Sequence, residues 1–452
     1  MTAPNPTGQT PDPKPVIVIG GGVAGLAAAS RLAEAGRRVL VLEAGPALGG
    51  RARSFIDRTT RDAVDNGQHA LMGCYTEFLS LLERIGRRDA LTIGEPRIPF
   101  WSEEHGLRDF SCPAIPAPLH FAAGLMRYRQ LPFRDRLSIA RAGRKLVRGV
   151  PDHWTVDHWL DEANQSRAAR DRFWDPVIRA TLNADPAGSS AALLATVVQR
   201  ALLGSYEDSC FLLPALPLSD LYAEPARKFI EERGGEVRCR SAADAILTEP
   251  QLAVRTQGET LPAAAVVVAV PPAALARIEP ATLHPAPALA QSTAIVSGTL
   301  WVDRIAGNET PPFLGLIDRE TQWLFRVDRL HRDRAIRTES GVDGERIACV
   351  RSGADDWSEL PRKEIARRMW QDVQEALPSL RGANLLHALV VKEVSATLAP
   401  EPALQPLRPS ATTPSPDVWL AGDWTDTGLP ATLEGAAQSG HVAARSILGE
   451  VS

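Results

Sequence analysis

Two glycine-punctuated segments at opposite ends of the chain, each an apolar strand running into an Ala-rich helix, enclose a long stretch of helical and alternating patterns. Together they predict an α/β protein, with a Rossmann-like nucleotide domain that carries an inserted helical plus mixed-sheet substrate domain. A chain of 452 residues is long enough for two such lobes and for a large enclosed ligand.

The first segment, PVIVIGGGVAGLAAASRLAEAGRRVLVLEAG, opens with β-branched residues, turns on glycines, continues as a helix and ends in a second strand. Gly20, Gly22 and Gly25 form a GxGxxG pattern, whose glycines serve a tight turn, close backbone approach to a pyrophosphate, and close helix–strand packing. Val23 and Ala24 open the helix, where backbone N–H groups and the helix dipole favour phosphate. Glu43 ends the second strand, placed to accept hydrogen bonds from a ribose diol and to repel a 2′-phosphate, with Ala44 beside it. NAD and FAD both satisfy this unit.

The residues that follow favour FAD. In PALGGRARS, Gly49, Gly50 and Arg51 resemble the GG-R signature of the amine-oxidase and phytoene-desaturase superfamily of flavoproteins, whose arginine lies along the dinucleotide. At the other end, DVWLAGDWTDTGLPATLEGAAQSGHVAARSIL runs from an apolar strand into Gly422 and Asp423. A helix then begins near Pro430, with Ala431, Ala436, Ala437, Gly440 and Ala443 at closely packable positions. This segment is similar to the carboxy-terminal flavin motif of the same superfamily. The resemblance implies that Asp423 binds the ribityl or phosphate region, and that the backbone of Thr432 and Leu433 faces the pyrimidine edge of the isoalloxazine. A helix N-terminus there stabilises the negative charge of a reduced flavin. Between the two ends, RKFIEERGGEVRCR resembles the family's segment that sets a valine backbone against adenine, here Val237. Residues 15–75, 221–285 and 405–452 are therefore expected to form one discontinuous FAD-binding domain, and 76–220 with 286–404 the substrate domain.

Composition narrows the function further. A net charge of −4 gives no nucleic-acid signal. Five scattered cysteines without a CxxC read as reduced thiols of a cytoplasmic protein, not as a disulfide or metal framework. The last of them, Cys349, precedes the terminal helix by a wide margin, so the flavin is expected to be non-covalent. Residues 1–14, MTAPNPTGQTPDPK, read as a disordered tail without the apolar core of a signal peptide, and no uninterrupted apolar run reaches membrane-spanning length. One stretch, residues 125–148, holds Arg127, Arg129, Arg134, Arg136, Arg141, Arg144, Lys145 and Arg148 against the single acid Asp135. With the Pro-rich apolar residues before it, segment 113–150 reads as a surface anchor on anionic lipid, peripheral on the inner face of the cell membrane. The stretch FWDPVIRATLNADPAGSSAALLATVVQRAL can wall an apolar tunnel, with core packing the default for most of its residues.

Residues 64–75, VDNGQHALMGCY, fit neither helix nor strand. Together with PAPLHFAAGLM, WDPVIRATLNADPAGSSA and GLPATLEGAAQSG they are similar to the hydroxysqualene dehydroxylases, FAD-dependent desaturase-like enzymes of bacterial hopanoid pathways. The match covers nearly the whole chain after the tail. It implies a long isoprenoid substrate, hydroxysqualene, and reductive replacement of hydroxyl by hydrogen, with an electron donor that the sequence does not name. It also places the loop after GGR beside the isoalloxazine: Gly67 permits close approach, and Gln68 and His69 line the flavin or the reacting carbon. His69 is the candidate general acid because its ordinary pKa is near neutrality, with Asp175 next. A carotenoid-type desaturase or amine oxidase, and a prenyl-lipid carrier of the same fold, are the alternatives.

Overall fold

The computed structural model describes residues 14–331 and 344–450; apart from Lys14, the tail expected to be disordered lies outside them. Strands β1 (Val16–Ile19), β2 (Val39–Leu42), β3 (Glu236–Arg238), β4 (Ala265–Val268) and β5 (Val418–Leu420) form a parallel sheet in the order β3-β2-β1-β4-β5. Val18 is the Cα partner of both Val41 and Val267. Strands β1, β2 and β4 are buried along their whole length, which is why they read as unbroken Val, Ile and Leu instead of alternating.

Helices α1 (Val23–Glu34), α2 (Thr76–Arg84) and α3 (Leu433–Leu448) cover one face of this sheet. The small residues in α1 and α3 let them approach: a Cβ built on Gly440 would stand 2.1 Å from the Ala24 carbonyl oxygen. The opposite face is covered by an antiparallel meander, Ala243–Leu247, Ala253–Thr256 and Glu259–Pro262, whose Ile246 and Val254 pack on Ile17, Leu40 and Val266. The sequence pattern does not announce this layer, because its strands are short and half polar.

The second lobe is built on a seven-stranded sheet. Across it run Leu385–Leu398, Ser292–Val302, Glu345–Ser352, Trp323–Arg326, Phe313–Leu316, Arg97–Ser102 and Gly106–Ser111. Its last two strands come from the first insertion and join the second through the parallel register Gly315↔Phe100, so one sheet unites both insertions. Helices around Phe121, Leu125, Ile139, Trp159, Trp174 and Leu194 form a separate core.

The basic stretch folds as two helices, Leu119–Arg127 and Phe133–Leu146. Their inner faces are mostly apolar, with Leu125, Tyr128, Leu131, Ile139 and Leu146 buried beside His120 and Asp135. Arg136 does not belong to the outer charged face: it donates to the carbonyls of Leu131 (2.8 Å) and Met126 (2.7 Å), satisfying groups at the end of the preceding helix. Among the described residues no helix is long and apolar enough to cross a membrane.

Candidate active site

The glycine loop builds a bare cradle. Gly20 sits at φ +108°, and a Cβ there would stand 2.4 Å from the Ala269 carbonyl oxygen; a Cβ on Gly25 would stand 1.9 Å from the carbonyl oxygen of Gly20. Gly22 caps α1 without a side chain, and the first bond inside the helix is Leu26 N–H to Gly22 O, so the N–H groups of Val23, Ala24 and Gly25 are left to a ligand. Opposite stands Gly50 at φ +59°, where a Cβ would come within 3.2 Å of the Gly22 Cα. Two backbones free of side chains thus face each other beside a positive helix end, a fit for a pyrophosphate.

Glu43 follows β2. Its carboxylate accepts from the N–H of Gly21 (2.7 Å) and of Gly45 (2.6 Å), which locks its direction and leaves further lone pairs for a diol. Ala44 beside it is exposed. Val237 lies on β3 as the partner of Val41, and the Glu43 N–H donates to the Arg238 carbonyl at 2.8 Å, so both flank the same end of the sheet.

The end of the chain closes on this cradle. Gly422, at φ +148°, donates its N–H to Ser439 Oγ at 2.8 Å, and the next residue, Asp423, accepts from Arg51 Nη2 at 2.5 Å. Arg51 also donates to the Ala396 carbonyl at 3.0 Å. The buried guanidinium of Arg408, whose pKa burial lowers, holds the turn that follows by donating to the carbonyls of Asp423 (2.9 Å), Thr425 (3.0 Å) and Leu429 (2.7 Å). Nothing in the local sequence marks Arg408, an isolated arginine in a Pro-rich run. Thr432 caps α3 by accepting the Gly435 N–H at 3.2 Å, which leaves the N–H groups of Leu433 and Glu434 at the helix end.

Around residues 65–69 the chain passes the large sheet: a Cβ on Gly67 would stand 3.1 Å from Ser297 Oγ. Gln68 donates to Asp65 Oδ2 at 3.3 Å. His69 Nδ1 lies 2.7 Å from the Gly67 carbonyl, which can only accept, so the proton is on Nδ1. Burial lowers the His69 pKa, and the residue is half-buried. A neutral ring in this tautomer offers a lone pair at Nε2 and no proton, so at neutral pH His69 is suited to accept rather than to act as the acid the sequence suggests. Asp65, which sequence reasoning passed over, is the better proton holder: burial pushes its carboxyl up to about 6. Asp175 is the first residue of the helix Asp175–Leu182; burial raises its pKa, and its nearest cation, Arg179, is 3.9 Å away.

An apolar cavity with an empty volume of about 430 Å³ opens at the N-terminus of α3, between Pro430, Thr432 and Glu434 on one side and Thr181, Thr196 and Ala201 on the other. Tyr75 and Cys74 also line it, and burial raises both their pKa values, the thiol to about 12. Glu434 is spent elsewhere: it accepts from the N–H groups of Glu77 (3.0 Å) and Phe78 (2.9 Å), capping α2, and from Arg200 (3.2 Å). The helices anticipated as tunnel or core serve both ends: Trp174, Ile178 and Leu194 pack inside, while Thr181, Thr196 and Val197 face the cavity.

Comparison with known proteins agrees with this geometry. Residues 23–448 match the family described as flavin containing amine oxidoreductase. The chain is 32% identical to hydroxysqualene dehydroxylase of Rhodopseudomonas palustris, over 96% of this chain and 98% of that one. It is 30% identical to the enzyme of that name from Sinorhizobium fredii, over 97% and 100%, and 25% identical to zeta-carotene desaturase of Solanum lycopersicum, over 96% and 80%. Among solved structures, an oxidoreductase from Methanosarcina mazei shares the fold with a TM-score of 0.70 at 18% identity, covering 96% of this chain and 99% of that one. The chain therefore belongs to the flavin-containing amine oxidoreductases and, within them, to the family of the hydroxysqualene dehydroxylases.

Proposed function

We propose that the protein binds FAD non-covalently and removes the hydroxyl of hydroxysqualene reductively, yielding squalene. The observation that carries this reading is the apolar cavity ending at the uncompensated N–H groups of α3. One end of a long hydrocarbon can enter it, and a reactive carbon can come to rest at the helix end where an anionic reduced flavin is favoured. Bound there, the flavin supplies hydride. Leu429, Pro430 and Val197 exclude water from the approach, and the neutral phenol of Tyr75 is a hydrogen-bond donor for the substrate hydroxyl. The cavity suits a protonated amine poorly, because its one carboxylate, Glu434, is already committed to α2 and Arg200.

A second reading, a carotenoid-type desaturase, is favoured by the likeness to zeta-carotene desaturase. It differs in direction, consuming oxidised flavin. One anaerobic experiment separates the readings: photoreduced protein mixed with hydroxysqualene is expected to reoxidise and yield squalene by mass spectrometry. Oxidised protein bleached by a polyene precursor, with no squalene formed, would instead support the desaturase, and colourless purified protein would point to a lipid carrier.

The same reading places the protein in the cytoplasm at the membrane surface. Residues 114–119, AIPAPL, are exposed throughout, with Leu119 61% and, across from it in sequence, Phe133 63% accessible. Arg127, Arg129, Arg134, Arg141, Arg144, Lys145 and Arg148 are exposed on the same two-helix unit. Apolar residues with a basic surround fit an anionic bilayer. Cosedimentation with anionic liposomes at low salt is expected, weakened by Phe133→Ser and by Gln at Arg134, Arg141 and Arg144; indifference of the wild type to liposomes would refute it.

A further inference from the structure

The reaction proposed above consumes one proton per turnover, yet the titratable groups of the substrate cavity are poor sources: burial raises the pKa values of Tyr75 and Cys74, and Glu434 is committed to α2 and Arg200. A buried supply is needed. Against the large sheet, on the Asp65 and Gln68 side of the 65–69 loop, lies a second, small chamber with room for about one water, whose polar lining is Asp65, Gln68, Thr299, His331 and Arg346.

Several atoms on this wall are orphaned. Among the described residues, neither Nδ1 nor Nε2 of His331 has a hydrogen-bond partner, and Arg346 Nη1 has none beyond a 3.9 Å approach to Asp62 Oδ1. His331 is only 6% exposed. Burial, with the charge of Arg346, pushes its pKa down to about 4, so the ring is neutral and presents one donor and one acceptor together. Ser297 Oγ, two residues before Thr299 on the same strand face and next to Gly67, is likewise buried and unpaired. Leaving such groups dry is costly, and polar cavities of this kind hold ordered water. On the chamber's near side, Asp65 Oδ1 accepts from Ser54 Oγ (2.7 Å) and the Leu218 N–H (3.0 Å), whereas Oδ2 has only the long contact from Gln68.

We propose that this chamber is a bound-water site supplying the reaction's proton, in which Asp65 holds the proton, Gln68 positions carboxyl and water, and His331 exchanges protons with the water. The inference rests on the dehydroxylation reading. In the overall step the C–O bond breaks and a C–H bond forms. The carbon gains the hydride electron pair that reduced flavin loses, and the proton leaves with the hydroxyl oxygen as water. The Asp65 carboxylate then recovers a proton from solvent through the chamber water, which is left neutral. Asp65 does not line the apolar cavity, so its proton reaches the substrate hydroxyl through bound water, with Gln68 holding the carboxyl in place. The titratable and charged groups that face it are Asp220 and Tyr222 from the segment below, and His331 and Arg346 across the chamber, Arg346 being paired with Asp328 and, at 3.9 Å, with the buried Asp62.

Three measurements test it. A high-resolution crystal structure of the holoprotein should show an ordered water within hydrogen-bond distance of a His331 ring nitrogen and of Arg346 Nη1; a dry chamber overturns the proposal. Difference infrared titration should show a protonated-carboxyl band that disappears as pH rises through about 6 and is absent from Asp65→Asn; a band that survives the substitution overturns it. In single-turnover reoxidation of prereduced protein by hydroxysqualene, Asp65→Asn should be slower by roughly 10²–10⁴-fold, with the pH limb and most of the solvent isotope effect lost. His331→Phe, which fills the chamber, should slow the same step about tenfold with flavin spectrum and Tm unchanged. A wild-type rate and pH profile in Asp65→Asn overturns the proton assignment. If the wild type itself fails to reoxidise, the dehydroxylation reading fails and the proton assignment with it, while the water site is decided by the density and the infrared band alone.

Discussion

Arg51 Nη2 and Asp423 Oδ1 lie 2.5 Å apart although 372 residues separate them in the chain. This pair ties the GGR loop to the carboxy-terminal turn, and Asp423 is nearly buried while Arg51 is half exposed. Asp423→Asn keeps the shape and removes the charge. It is expected to weaken the tie by about 1.5–3 kcal/mol, the worth of a hydrogen bond to a charged group, and to lower flavin occupancy measured by absorbance after gel filtration. Adding Arg51→Ala should cost less than the sum of the two changes, since they share one interaction.

Glu43→Gln tests the nucleotide loop. The carboxylate accepts two backbone N–H groups, from Gly21 and Gly45, and an amide can satisfy only one of them. Retention of flavin is expected to fall while the far-ultraviolet circular dichroism stays that of the wild type. Full occupancy after dialysis would show that Glu43 orders the loop without serving a ligand.

For His69, the Nδ1 bond to Gly67 and the lowered pKa imply that the loss in His69→Phe is that of one neutral hydrogen bond. Turnover should fall about tenfold or less, near 1 kcal/mol, and the decline of rate as pH rises through about 6, which belongs to Asp65, should persist in His69→Phe; loss of that limb would assign it to the imidazole. A drop of 10²-fold or more would restore the acid role.

The cavity itself can be closed. Thr196 lines it opposite Pro430, and Thr196→Phe should abolish reoxidation by hydroxysqualene while leaving the flavin spectrum intact. Equal loss of flavin and of turnover would mean that this space belongs to the cofactor.

Asp65 also gives a stability test whose sign is fixed. Its folded pKa, near 6, exceeds the ordinary carboxylate value, so the folded state binds the extra proton. Its favourable contribution is complete below about pH 4 and is lost as pH rises through 6. Asp65→Asn should therefore stabilise the protein at pH 7 by about 3 kcal/mol and make no difference at pH 4, as read from Tm in the two buffers. The buried Oδ1 acceptor for Ser54 and Leu218 is kept by the asparagine oxygen.

The residues most legible in the sequence are those whose reason is local. Gly20, Gly22 and Gly25 are visible because backbone geometry demands them within six positions, and the strands β1, β2 and β4 because burial on both faces leaves an unbroken apolar run. Arg408, Asp65 and His331 are not legible, since what distinguishes each is a partner or a void brought up from a distant part of the chain: the turn at 423–429, the amide of Leu218, the wall formed by Arg346. The same holds for the strands Arg97–Ser102 and Gly106–Ser111, which join a sheet whose other members come some two hundred residues later. His69 shows the limit from the other side. Its position in a glycine-flanked turn is readable, but its tautomer is set by a carbonyl whose direction only the folded turn fixes.

The parallel sheet has a consequence for how the protein is made. Its central strand β1 pairs with β4, some 250 residues downstream, and β4 must wait for β5, about 150 residues further on. Arg51 waits equally long for Asp423. The emerging polypeptide thus carries its glycine loop without a finished pocket until Asp423 has been made, and with apolar strand edges exposed. Completion of the pocket is accordingly late and slow as long-range pairing is, and a chain lacking residues 418–448 would not retain flavin however intact its first strand and helix.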